Sequence, residues 1–158
     1  MADAARLIEN LLYTYAERID AGDLEAVADL FAHGRVSSSR ELAPALTFEG
    51  RERVLSLYRA SARLYADGTP RTRHVTTNAI VEVEDGALTG AARSYYTVFQ
   101  QVEDQPLQAI ICGRYHDTFH CIDGRWWFDT RTMFIDLVGD LSHHLLYDLD
   151  SARRSPRA

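Results

Sequence analysis

RTRHVTTNAIVEV, residues 71–83, follows the break Asp67-Gly68-Thr69-Pro70 and changes the period of the chain. Before it, apolar residues recur at helical spacing. From Thr72 they alternate, so Thr72 to Val83 reads as a strand. Three further runs follow, Ala87 to Val102, Leu107 to Ile122 and Arg125 to Leu137. Glu84-Asp85-Gly86, Glu103-Asp104-Gln105-Pro106 and Asp123-Gly124 separate them, each a hairpin turn signal.

Toward the N-terminus, Leu7, Ile8, Leu11, Leu12, Tyr15 and Ile19 form one helical stripe between Asp3 and Ile19, with Gly22 as a stop. Asp23 can cap a second helix whose inner face is Leu24, Val27, Leu30 and Phe31. Gly34 to Phe48 reads as a short strand near Arg35 to Ser38 and then a loop through Pro44. Arg51 to Tyr65 resumes the helical period, with Val54, Leu57, Tyr58, Ser61, Ala62 and Tyr65 on one stripe. Asp140 to Leu149 reads as a short C-terminal helix. Helices first and a strand meander afterwards predict an α+β fold, three helices on one face of a curved antiparallel sheet. Residues 1–150 are expected to form one domain and 151–158 a disordered tail.

Composition narrows the functional classes. A net charge of −6 without a basic run leaves no footprint for nucleic acid. No apolar run is long enough for a bilayer span, and the N-terminus reads as a helix start, so the expected compartment is the cytoplasm. All 17 basic residues are Arg, which excludes Schiff-base chemistry by a lysine amine. Cys112 and Cys121 sit too far apart on one extended segment for a disulfide. His116 and His120 on a strand do not form a zinc pair, and no P-loop, GxGxxG or GxSxG is present, so neither metal nor cofactor is expected.

Two side chains can carry chemistry together. His74 opens the strand of residues 72–83, with Thr76 and Asn78 expected on the same face. Asp20 ends the first helix, where a carboxylate meets the unfavourable end of the helix dipole. A carboxylate bonded to one imidazole nitrogen fixes the tautomer and leaves the other nitrogen as a base. The plainer readings are a ring in water for His74 and a turn-capping carboxylate for Asp20. His143 and His144 read most simply as solvent-facing, with a lid over a cavity mouth as the alternative.

YAERIDAGDLEAVADLF, FEGRERVLSLYRASA, RTRHVTTNAIVEV and GRYHDTFHCIDGRWWF together resemble the SnoaL-like branch of the nuclear transport factor 2-like superfamily, from about residue 6 to about residue 137. The resemblance implies a cone of three helices and a strongly curved sheet around a pocket, often dimeric or trimeric through the sheet's outer face. Within that superfamily the active-site pattern is closest to scytalone dehydratase and hexachlorocyclohexane dehydrochlorinase, whose Asp and His match Asp20 and His74. Tyr15 and Asp117 fall where ketosteroid isomerases carry oxyanion-hole groups, while their general base would fall near Ser38. The second histidine of scytalone dehydratase aligns near Val98. The implied function is a cofactor-independent lyase for a small cyclic or polyketide-like molecule, with His74 as base and Asp20 as its partner. Tyr15 or Tyr96 would then stabilise charge, and Asn78, Tyr96, Tyr115 and Asp117 would hold substrate. The alternatives are an isomerase or cyclase using the same base, or a non-catalytic small-molecule-binding module. The expected assembly is a homodimer or homotrimer.

Overall fold

The computed structural model describes residues 3–38 and 46–149; the loop around Pro44 and the tail expected at 151–158 lie outside the described residues. Helix α1 (Ala4–Asp20) is capped by Asp3, whose carboxylate accepts from the Ala5 amide at 3.0 Å. Its buried face is Ile8, Leu12, Tyr15, Ala16 and Ile19, the periodic stripe of the sequence. Gly22, at φ +75°, ends the helix in the left-handed region, and a Cβ there would strike the Gly68 carbonyl. That close approach lays the end of α1 against the turn leading into RTRHV. Asp23 caps α2 (Leu24–Asp29) by accepting from the Ala26 amide at 3.0 Å.

Two short strands come next, β1 (Arg35–Ser38) and β2 (Thr47–Glu49), the second lying in a segment expected to be loop. Helix α3 (Gly50–Ser61) stops one turn before the expected end at Tyr65. Ala62 is extended (φ −89°, ψ 126°) and bridges to Leu145. The four long strands follow: β3 (Thr72–Glu82), β4 (Thr89–Val102), β5 (Gln105–Ile122) and β6 (Arg125–Val138).

The sheet order is β2-β1-β6-β5-β4-β3, antiparallel throughout except for the parallel β1–β6 pair. Register shifts interrupt the ladders of β3 to β6, for example between Val98 and Phe99 and between Cys112 and Gly113. Each extra residue bends its strand, which curves the sheet around the helices. Under α1 and α2, Phe31 stacks on Phe128 with ring centroids 4.9 Å apart, in a core that includes Ile8, Leu12, Val27 and Phe119.

The C-terminal segment is not the expected helix. After one turn closed by Leu145 N–H to the Leu141 carbonyl (3.0 Å), its backbone bonds outward. The Arg63 amide donates to the His144 carbonyl at 2.9 Å and the Leu146 amide to the Ser61 carbonyl at 3.0 Å. Those tertiary bonds replace the i−4 ladder and turn residues 141–149 into a strap beside α3. Among the described residues no helix is long and apolar enough to cross a membrane.

Candidate active site

β3 delivers His74. Along its start Thr72 is buried and His74 and Thr76 are half-buried, while Arg73, Val75 and Thr77 are exposed, so alternate residues face α1. His74 Nδ1 lies 2.6 Å from Asp20 Oδ1, and the His74 backbone amide donates to Asp20 Oδ2 at 2.8 Å. The Thr72 hydroxyl also donates to Oδ1, at 2.8 Å. Asp20 therefore holds the strand opening by main chain and side chain at once. An ionised carboxylate only accepts, so the ring proton belongs on Nδ1 and Nε2 keeps a lone pair. The two side chains are 7% and 9% exposed, a nearly dry pair at the wall of a cavity.

That cavity has a volume of about 360 Å³, within the range of small-molecule sites. Its wall is mainly apolar, including Ile19, Val36, Phe48, Val98, Ile135 and Leu141, with His74 and a group of tyrosines as polar points. Tyr15 and Tyr58 share a 2.8 Å hydrogen bond between hydroxyls, which leaves one O–H of the pair free to donate elsewhere. Burial raises the pKa of both phenols, so both are neutral donors rather than bases. Tyr96 stacks on Tyr115 (centroids 4.3 Å) and donates its hydroxyl to the Phe134 carbonyl at 2.9 Å. Gly113 permits this arrangement, since a Cβ there would meet the Tyr96 hydroxyl at 2.5 Å.

Tyr15, His74, Tyr96 and Tyr115 thus share one cavity with Asp20 directly behind His74. Three other residues of the sequence reading sit elsewhere. Asn78 takes φ +54° at the irregularity between Thr77 and Ile80 and is exposed, because an extra residue there breaks the alternation that put it beside His74. Thr76 stays on the inner side but borders a shallow cleft against α1, with Tyr13 and Glu17, outside the main cavity. Asp117 is sealed beneath the tyrosines in a two-pronged pair with Arg131, at 3.0 and 2.8 Å. Burial pushes its carboxyl up, and the guanidinium opposes that.

Two contributors, Arg131 and Tyr58, escaped sequence reading, and a third, His144, entered it only through the alternative of a lid. Arg131 lies 4.2 Å from the Tyr15 ring and 3.9 Å from the Tyr115 ring, supporting both from below. Its facing of Asp117 across β5–β6 depends on register, which the strands' sequences do not state. Tyr58 looked like one more apolar stripe position of the third helix. His144 lines the cavity instead of facing solvent, with its ring centroid 6.4 Å from that of His74. The available signal was Leu141, Leu145 and Leu149, apolar residues four apart around it.

A curved sheet and helices enclosing an apolar cavity, with an imidazole–carboxylate pair in its wall, make up an α+β fold of the cystatin-like class. Residues 2–132 match the SnoaL-like domain family, and the chain belongs to it. An NTF2-like protein with a cystatin-like fold from Novosphingobium aromaticivorans is similar, with a TM-score of 0.66 at 26% identity over 87% of this chain and 84% of that one. A provisionally designated scytalone dehydratase from the same organism has a TM-score of 0.65 at 23% identity, over 85% of each chain. Aln2 from a Streptomyces species has a TM-score of 0.67 at 19% identity, over 86% of this chain and 93% of that one. The sequence has no significant match among curated proteins.

Proposed function

We propose that the protein is a cofactor-independent lyase of the dehydratase type, acting on a small, neutral, cyclic or polyketide-like molecule. The observation that carries this reading is the 2.6 Å contact of His74 Nδ1 with Asp20 in the cavity wall, which leaves Nε2 as a base. Nε2 takes a proton from the carbon next to a carbonyl. The C–H electron pair becomes the new C=C bond as the C–O bond to a β-hydroxyl breaks. The proton on His74 then passes to the departing hydroxide, giving water. Asp20 stabilises the imidazolium in between, and the Tyr15–Tyr58 pair offers a neutral O–H to developing charge. Family membership supports the reading, since SnoaL-like proteins include cofactor-free isomerases and dehydratases.

The neutral phenol pair suits an enolate equally well, which favours an isomerase as the second reading; loss of water from the product, read by mass, separates the two. Both need the same base, and an enolisable ketone tests it. Wild-type protein should exchange α-deuterium from D₂O into 2-tetralone faster than buffer, with His74→Ala and Asp20→Asn slower by about a hundredfold or more. A wild type no faster than buffer, or variants as fast as wild type, would overturn it. Association of copies is proposed through the outer sheet face, where Tyr95 is 54% and Leu137 68% exposed, and sedimentation checks it.

A further inference from the structure

The strap places a second imidazole in the cavity under conditions opposite to those of His74. Its backbone is held on both sides: Tyr65 donates to the His143 carbonyl at 2.6 Å, Gln100 donates to it at 3.1 Å, and Arg63 donates to the His144 carbonyl at 2.9 Å. Gln100 also donates to the Pro70 carbonyl at 3.1 Å, tying the strap to the approach of β3. The backbone that carries the His144 ring is therefore anchored to α3's end and, through Gln100, to the approach of His74's strand.

His144 Nδ1 is sealed from solvent and has no hydrogen-bond partner among the described residues. A sealed N–H without an acceptor is the costlier arrangement, so the proton belongs on Nε2. His74 carries its proton on the opposite nitrogen, because Asp20 claims Nδ1. The two rings line one cavity with centroids 6.4 Å apart, one carrying a lone pair and the other an N–H. A ligand beside the two rings, in the cavity both line, can bring one small functional group to about 2.9 Å from each, bridging that gap from one side. An α-carbon beside His74 with its carbonyl oxygen beside His144 fits it. Burial, with His74 nearby, holds the His144 pKa down to about 4, while Asp20 pulls weakly the other way, so the ring is neutral at neutral pH. A neutral imidazole is a competent carbonyl-polarising donor.

We propose that His144 is a substrate-contacting residue whose Nε2–H binds the carbonyl oxygen of a neutral cyclic ketone and stabilises its enolate while His74 holds the proton. The ligand class follows from the wall. Among the described residues lining the cavity there is no Arg, Asp or Glu, so a carboxylate ligand would be buried without a counter-charge. The proposal rests on the base role given to His74 above, and binding is measured apart from turnover so that the two can fail separately.

Binding of 2-tetralone and of tetralin, its oxygen-free analogue, is measured by calorimetry on wild type, His144→Phe and His144→Gln. The Phe variant should bind 2-tetralone about tenfold more weakly and leave tetralin within about twofold. At saturating 2-tetralone its α-deuterium exchange should fall about a hundredfold. The Gln variant, which keeps a donor, should recover most of both losses. Equal weakening of both probes in the Phe variant would make the strap a mere cover and overturn the proposal, as would Phe and wild-type proteins that bind 2-tetralone alike. A wild type that does not prefer 2-tetralone over tetralin overturns it too. Preference for 2-tetralone through His144 without any exchange would sink the base reading and leave the His144 contact standing.

Discussion

Asp20 and Asp117 are both buried carboxylates facing nitrogen bases on neighbouring elements, yet the two pairs are built for different tasks. Asp117 gives both oxygens to Arg131, and both side chains are 0% exposed. Arg131 does not deprotonate in proteins, so the pair can only hold. It spans β5 and β6 and supports the Tyr15 and Tyr115 rings. Asp20 divides its oxygens among a hydroxyl, an amide and an imidazole. Its partner is an imidazole, a side-chain type that both takes and gives protons, and it borders the cavity, so the pair can accept and return a proton. Burial alone does not mark a functional acid; the partner's chemistry and its access to the cavity do.

Breaking the sealed pair should have the larger effect on stability. Arg131→Met leaves Asp117 uncompensated, and we expect a loss of about 3–5 kcal/mol, seen as a melting temperature lower by roughly 6–20 °C. Calorimetry checks it. Asp117→Leu combined with Arg131→Met should recover much of that loss, because the pair's own desolvation cost disappears with it. If the double variant is as unstable as the single one, the pair contributes more than mutual neutralisation.

Asp20→Asn should separate function from fold in the opposite sense. We expect about 1–2 kcal/mol of destabilisation from imperfect hydrogen bonding, with deuterium exchange slower by about a hundredfold or more. Melting and exchange on the same preparation sharpen the contrast. A variant that melts like Arg131→Met would place Asp20 among the structural acids.

Gly113 links the two regions, since it lies under Tyr96, which stacks on Tyr115 above Arg131. Gly113→Ala drives a methyl into the Phe134 carbonyl oxygen as well as into the Tyr96 hydroxyl, so backbone has to shift and the cost should reach or exceed the top of the usual overpacking range of about 1–3 kcal/mol. Tyr96→Phe should cost about 1 kcal/mol by losing its bond to the Phe134 carbonyl alone, so the two melting curves separate steric strain from the hydrogen bond.

The parts legible in the sequence were those governed by local periodicity. The helical stripe through Tyr15 and Ile19, the glycine stop at Gly22 and the alternation from Thr72 to Thr77 required no knowledge of partners, and they place Asp20 and His74 on facing elements. What failed needed information from elsewhere in the fold. Asn78 was assigned by parity, and one bulge beyond Thr77 cancels parity. The Asp117–Arg131 pair needs the β5–β6 register. The strap's apolar spacing suggested a helix, but Ser61, Arg63, Tyr65 and Gln100 take its backbone groups, and only that tertiary claim brings His144 into the cavity.

His144 extends the comparison to a third arrangement, an imidazole with no carboxylate of its own, whose effect is read through pH. The charged and titratable groups facing it are His74, which lowers its pKa, and Asp20, which raises it, but burial dominates and holds the folded value at about 4 against an ordinary 6.5. The folded protein then binds this proton more weakly than the unfolded chain does. As pH falls below 6.5 the unfolded chain is protonated first, so the stability contributed by the neutral ring is whole above pH 6.5 and is lost progressively toward pH 4. His144→Phe cannot titrate and lacks this component. The stability of wild type relative to the variant, from urea denaturation at steps between about pH 7.5 and 4, should therefore decline through that window, while carboxylates common to both proteins cancel in the difference. A flat difference would mean that the imidazole is as easily protonated in the cavity as in water, and the neutral donor opposite His74 would be lost with it.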